Sequence, residues 1–243
     1  MPVFAVIVAA LFALVLTAVA SAPGPTREPH AHPREAGPLA ALVPAQEQGE
    51  VPSAGTYALP PIKLAGDGAV VDHGGRAHRL AQFTTGRVTL LSFIFANCSD
   101  PSGCPLAIGT LFEIYHASEK SKALVDSARL VTVSFDPERD TPEALASYAH
   151  AALADPDVKR KLPWSFLTTR SKADLKPILE HYGQPVVPRY GSDQLNHLLR
   201  LYLIDRHGQI RNVYGLGMLN PRFLLADIET LLLEDGILGP NSQ

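Results

Sequence analysis

The stretch Val88-Thr89-Leu90-Leu91-Ser92-Phe93-Ile94-Phe95 is almost unbroken apolar sequence. A run of this length suits a strand buried on both faces, and such strands lie at the centre of a sheet covered by helices. Beyond it stand Cys98 and Cys104, the only cysteines of the chain. Ile108, Leu111, Phe112 and Tyr115 then repeat at i, i+3, i+4 and i+7, one stripe of an amphipathic helix. Strand, cysteine loop and helix therefore form one unit, around which the rest of the chain has to be built.

Downstream, the pattern alternates. Residues 129–135 read as a β-branched strand, and Asp136-Pro137-Glu138-Arg139-Asp140 as a turn. Thr141-Pro142 is an N-cap with a first-turn proline, ahead of Leu145, Tyr148, Ala149 and Ala152. Residues 164–168 are a short strand. Ser171 and Asp174 have capping-box spacing before Leu175, Ile178, Leu179 and Tyr182; Pro177 is expected to kink that helix or delay its start. Residues 198–204 and 209–214 form a hairpin around Asp205-Arg206-His207-Gly208, and Asn220-Pro221 opens a last helix. Short strands at 59–64 and 69–71, around Gly66-Asp67-Gly68, give an N-terminal β-hairpin. Strands joined by helices pair in parallel, and a late hairpin adds antiparallel pairs. The expectation is an α/β, thioredoxin-like fold: a mixed central sheet flanked by helices, with cysteines between the central strand and its helix.

Residues 1–22 are apolar, with no charged side chain before Arg27. They read as a cleaved signal peptide or as a membrane anchor through residues 3–22. The missing charged start, and Pro23 directly after Ala22, favour the anchor; no cysteine follows for a lipid anchor. Either way the remainder is expected on the oxidising side of a membrane. Residues 23–53, rich in Pro, Ala, Gly and Glu, read as a flexible tether, with His30 and His32 as solvated linker histidines. The folded domain is expected over 54–237, followed by a tail at 238–243. A formal net charge of −3 without a basic face argues against a nucleic-acid partner.

Ser99-Asp100-Pro101-Ser102-Gly103 separates the two cysteines, and Cys104-Pro105 starts the helix. Unpaired N–H groups and the helix dipole favour thiolate there, so a lowered cysteine pKa is expected. A structural disulfide, a catalytic dithiol and a soft-metal site all remain open on this reading. Two thiolates make a poor zinc site; two thiolates with one imidazole suit copper, Cu(I) above all. His197 stands out among the nine histidines because it precedes a central strand in a loop that can reach the cysteine end of the sheet. By itself such a histidine is more often a plain strand-end residue. Asp100 reads as a turn residue, and Asp136 and Asp140 as organisers of their turn and the helix start. Trp164 reads as packing at a strand start.

Phe93-Ile94-Phe95-Ala96-Asn97-Cys98, Cys104-Pro105, Val133-Ser134-Phe135-Asp136-Pro137-Glu138-Arg139-Asp140-Thr141-Pro142, and His197 ahead of Leu201-Tyr202-Leu203-Ile204-Asp205 together resemble the Sco/SenC family. The resemblance covers about residues 57–233. It implies a thioredoxin fold on the periplasmic side of an energy-transducing membrane, or its equivalent. It also implies one copper ion per chain held by Cys98, Cys104 and His197. The implied role is a metallochaperone more than an enzyme, delivering copper to a copper enzyme such as cytochrome c oxidase, or reducing its cysteines. Two departures stand out: five residues between the cysteines where the family usually has three, and Asn196 where an acidic residue often precedes the histidine. The other readings are an extracytoplasmic thiol–disulfide oxidoreductase using Cys98 and Cys104, and a non-catalytic interaction domain with a structural disulfide.

Overall fold

The structure, a computed structural model, describes residues 37–44, 50–150, 154 and 156–239. In chain order it contains β1 (Lys63–Leu64), β2 (Ala69–Asp72), β3 (Ala77–Arg79), α1 (Ala81–Thr84), β4 (Val88–Ile94), α2 (Cys104–Ala117), α3 (Lys122–Ser127) and β5 (Ala128–Ser134). Then come α4 (Pro142–Tyr148), β6 (Trp164–Thr168), α5 (Lys172–Tyr182), β7 (Val186–Pro188), β8 (Leu195–His197), β9 (Arg200–Ile204), β10 (Gln209–Gly215) and α6 (Pro221–Glu234). Eight strands make one sheet in the order β1-β10-β9-β4-β5-β6-β2-β3. Neighbours β4, β5 and β6 run parallel, and the other pairs are antiparallel. The mixed sheet flanked by helices is thus the one the alternating pattern implies.

Every residue of β4 is buried, as its unbroken apolar run demands. Phe93 packs its ring edge-on against Tyr182 and Tyr202, at 5.2 and 5.9 Å between centroids. Each fully buried side chain of this kind contributes roughly 1.5–3 kcal/mol, which makes β4 the least movable element next to the cysteine loop. Local signals set the helix starts. Thr141 accepts from the Ala144 N–H, Ser171 from the Asp174 N–H and Asn220 from the Arg222 N–H. Helix α5 starts at Lys172 and continues through Pro177, so the proline does not delay it. Pro177 and Ala173, whose carbonyl loses its helical donor, are both exposed, and water can serve that carbonyl.

Two expectations about the N-terminal part need correction. A hairpin is present, but it is made by β2 and β3, with Val70 opposite His78. Lys63–Leu64 instead pairs with Gln209 and Ile210 at the far edge of the sheet. In addition, part of the expected tether, residues 37–44, is docked. Leu39, Ala40 and Val43 are buried, and a 3₁₀ turn at Ala40–Leu42 packs on α6. Three apolar residues suffice here because Glu229 accepts the Leu39 N–H at 2.8 Å and Arg222 donates to the Ala40 carbonyl at 3.3 Å. Residues 1–22, including the expected signal or anchor, lie outside the described residues, as do His30 and His32. No helix among the described residues is long and apolar enough to cross a membrane.

Burial pushes the Glu229 carboxyl above its ordinary range, partly opposed by the Leu39 N–H. A raised carboxyl pKa supports folding below the unfolded-state value and withdraws that support as pH rises through the folded value. Glu229→Gln keeps an oxygen for Leu39 without the buried charge. Chemical denaturation should find the variant gaining on the wild-type chain as pH rises from 4 to 8, with the two converging at the acid end. A parallel pH dependence in both would contradict this.

Helix α6 also carries Asp227, which is 8 % exposed. It accepts from the Tyr57 hydroxyl at 2.6 Å, the Tyr214 hydroxyl at 2.6 Å and the Asn212 side-chain amide at 2.8 Å. One carboxylate thereby joins the last helix, strand β10 and the chain entering the domain.

Candidate metal centre

Strand β4 ends at Ile94 beside the parallel end of β5, and the chain turns into the cysteine loop. Asp140, 3 % exposed, accepts the Ala96 N–H at 2.9 Å and the Ser134 hydroxyl at 2.5 Å. Burial pushes its carboxyl up, and these two donors pull the other way. Asp136 pairs with Arg139, and its N–H donates to the Ser134 hydroxyl at 3.0 Å. The two aspartates therefore organise the β5–α4 turn, as expected, and Asp140 also holds the start of the cysteine loop.

Asp100 is the turn residue the sequence implies: its carboxylate accepts the Ser102 N–H at 3.0 Å and its carbonyl accepts the Gly103 N–H at 2.9 Å. A Cβ at Gly103 would stand 3.3 Å from the Cys98 sulfur and 3.2 Å from the Asp100 carbonyl. Glycine at this point lets a five-residue spacer fold back so that the cysteines face each other.

Cys104 is the first residue of α2 and only 1 % exposed; Cys98 is half-buried, and both are free thiols. The expected drop in cysteine pKa does not hold for Cys104. Burial pushes that thiol well above its ordinary value, against an opposing backbone contact at Phe95, and the neighbouring Cys98 adds to the rise. A helix N-terminus favours a thiolate only by a modest electrostatic term, whereas complete desolvation penalises it more. Without an ion, burial therefore favours the thiol form of Cys104.

His197 arrives from a direction the sequence did not reveal. It is not in a loop but at the end of β8, which pairs with β7 in a separate two-stranded sheet, His197 opposite Val186. Its ring packs against Phe135 at 4.9 Å and Phe95 at 5.8 Å. Its Nδ1 lies 3.0 Å from the Leu195 carbonyl. A carbonyl only accepts, so this contact places a proton on Nδ1 and leaves Nε2 as the ring atom facing the cysteines. That Nε2 is 3.6 Å from the Cys104 sulfur. The three candidate ligand atoms of Cys98, Cys104 and His197 all lie within 4.8 Å of one another.

No other such group of three occurs among the described residues. His78 bonds Asp72 at 2.9 Å, His181 meets the Leu64 carbonyl at 2.8 Å, and His116 stacks on Phe112. His207 is 71 % exposed, and His150 is exposed. Trp164 serves packing, with its N–H bonded to the Thr132 hydroxyl at 3.0 Å. Asn196 is exposed on β8 opposite Val187.

An open cleft of about 1100 Å³ borders the group. Cys98 and His197 line it, along with Asp100, Arg189, Leu198 and Leu216. Cys104 lies behind them, against the core. A soft cation entering from the cleft would meet one half-exposed sulfur and one imidazole first, and a buried sulfur last. Two sulfurs and one nitrogen suit a copper ion better than zinc, which prefers four ligands. Binding would displace the thiol protons.

The molecule is thus a thioredoxin-like domain with a Cys₂His group where the central strand meets its helix. A family model described as SCO1/SenC matches residues 60–233, and the chain belongs to that family. It is 28 % identical over 148 residues to the SCO1 protein homolog of Bacillus subtilis, covering 60 % of this chain and 71 % of that one. It is also 28 % identical over 151 residues to the human mitochondrial protein SCO2 homolog, covering 62 % and 53 % of the two chains. Among solved structures, a SCO1/SenC family lipoprotein from Bacillus anthracis superposes with a TM-score of 0.60 at 20 % identity, over 72 % of this chain and 99 % of that one. ScoI of Bradyrhizobium japonicum with copper bound gives 0.52 at 25 % identity, over 70 % and 99 %. Apo Sco1 of Thermus thermophilus gives 0.55 at 27 % identity, over 73 % and 96 %.

Proposed function

We propose that the protein is a copper-binding metallochaperone that holds one copper ion through Cys98, Cys104 and His197 and passes it to a copper enzyme. The observation that carries this reading is the convergence of two sulfurs and one imidazole nitrogen within 4.8 Å, contributed by a helix start, a loop and a separate hairpin. Family membership and the copper-bound relative from Bradyrhizobium japonicum support copper as the ion. The cleft supports transfer, because cargo held there stays open to an incoming ligand on the Cys98 and His197 side.

The partner is proposed to be a subunit of cytochrome c oxidase or a similar enzyme, met on the outer side of an energy-transducing membrane. Support comes from a Sco relative with the same fold, described as a member of a family of cytochrome c oxidase assembly proteins, and from the lipoprotein relative. The two sulfurs are close enough that a dithiol could also reduce a partner's disulfide, so the oxidoreductase reading uses the same cysteines without needing His197. The folded domain is proposed to begin before residue 54, since the docked residues 37–44 belong to the same compact unit.

Copper titration of the reduced full chain tests the proposal. One equivalent of Cu(I) should bind, and Cys98→Ser and Cys104→Ser should each lose that stoichiometric binding. Unchanged binding in either variant would exclude the three-ligand centre.

A further inference from the structure

Strand β8 is three residues long and belongs to no part of the large sheet. The position of His197 relative to the cysteines therefore depends on contacts at the two ends of its hairpin. At the base, the buried Gln184 amide donates to the Leu198 carbonyl at 2.6 Å. At the other end, one side chain reaches across to the cysteine loop. The Gln194 oxygen accepts the Ser99 N–H at 3.2 Å, and its nitrogen donates to the Asn97 carbonyl at 3.0 Å. These are the residues on either side of Cys98. The neighbouring Asp193 accepts from the Asn97 side chain at 2.8 Å and lies 3.9 Å from Arg139.

The five-residue spacer makes this bridge consequential. Internal bonds from Asp100 to Ser102 and Gly103 hold the far half of the loop, next to Cys104. The half around Cys98 is tied across to the histidine hairpin. We infer that Gln194 is a positioning residue for the metal centre, clasping Cys98 to the strand that carries His197 so that the ligand atoms are gathered before the ion arrives. The inference rests on the copper reading above. A primary amide suits the task because it offers an acceptor and a donor together, matching one N–H and one carbonyl two residues apart.

The test uses Gln194→Ala and Gln194→Glu in the full, reduced chain, with His197→Ala alongside. Cu(I) affinity is measured by competition with a chromophoric chelator, and the sulfur-to-metal absorption is recorded with Co(II) as a spectroscopic probe. Ser99 amide exchange is followed in the ion-free protein. Loss of an outer partner of this kind typically weakens metal binding about 10–100-fold. Gln194→Ala should fall in that range, with a shifted Co(II) band and faster Ser99 exchange. Gln194→Glu keeps the acceptor for Ser99 but sets a carboxylate against the Asn97 carbonyl, and it should fall between Ala and wild type; it also serves if the alanine variant fails to fold. Affinity within about twofold of wild type, with an unchanged Co(II) band in a folded variant, would overturn the clasp while leaving the copper site standing. Copper binding unaffected by His197→Ala would instead remove the reading beneath it.

Discussion

His197→Ala is expected to weaken Cu(I) binding more than about a hundredfold while the domain stays folded. Removing an outer partner of a metal ligand costs about 10–100-fold, and deleting the ligand itself must exceed that. The fold should survive because β8 lies outside the eight-stranded sheet, and the ring's aromatic contacts are with Phe95 and Phe135. Such aromatic contacts are worth about 0.5–1.5 kcal/mol. Chelator competition measures the affinity, and thermal unfolding of the ion-free chain measures the fold. The variant also separates the two chemistries open to the cysteines. A dithiol reductant keeps its two sulfurs in His197→Ala and should still reduce a model disulfide, whereas a copper carrier loses its cargo. Equal copper affinity in variant and wild type would leave a dithiol on a common scaffold.

The largest loss of stability is expected from Asp227→Ala. Tyr214 is 1 % exposed, so its hydroxyl cannot turn to water once the carboxylate is gone. Tyr57 and Asn212 are half-buried and recover part of their hydration. A buried donor left without its acceptor costs about 1–3 kcal/mol, more when the acceptor is charged. The total should come to about 3 kcal/mol, or roughly a 10 °C fall in melting temperature for a domain of this size. Asp227→Asn supplies the control. Its amide oxygen can still accept from Tyr214 and Asn212, and its nitrogen can donate to Tyr57, so about 1 kcal/mol or less should be lost. If the two variants melt together, the hydrogen bonds are not what the carboxylate contributes.

The parts of this molecule that were readable in advance share one property: their signal lies within a single stretch of chain. Strand β4 shows in its unbroken apolar run, and the helix starts show in Thr141, Ser171 and Asn220. The parts that were not readable depend on distant partners. Lys63–Leu64 is two residues long, and its place was decided by β10. Strands β7 and β8, three residues each, pair only with one another, with no alternation to announce them. The tether composition concealed Leu39, Ala40 and Val43, whose burial depends on Glu229 and Arg222 of the last helix. At the candidate metal centre, the family pattern singled out Cys98, Cys104 and His197, and the structure brings their ligand atoms within 4.8 Å of one another. The ionisation of Cys104 did not follow, since position at a helix start can be read from sequence but depth beneath the surface cannot. Gln194 carries no motif at all; only the approach of two loops exposes it.

The proton on Nδ1 of His197 has a consequence for how cargo could leave. Because the Leu195 carbonyl that receives it lies on the same short strand, imidazole and hairpin travel as one body. That body shares no backbone ladder with the platform beneath the sulfurs. Lifting it would strip the imidazole and, through Gln194, loosen the Cys98 side of the loop while Cys104 stays at its helix start, so release need not begin with unfolding: a receiving protein could take the ion in stages, prying open a hinged clip rather than dismantling its mount.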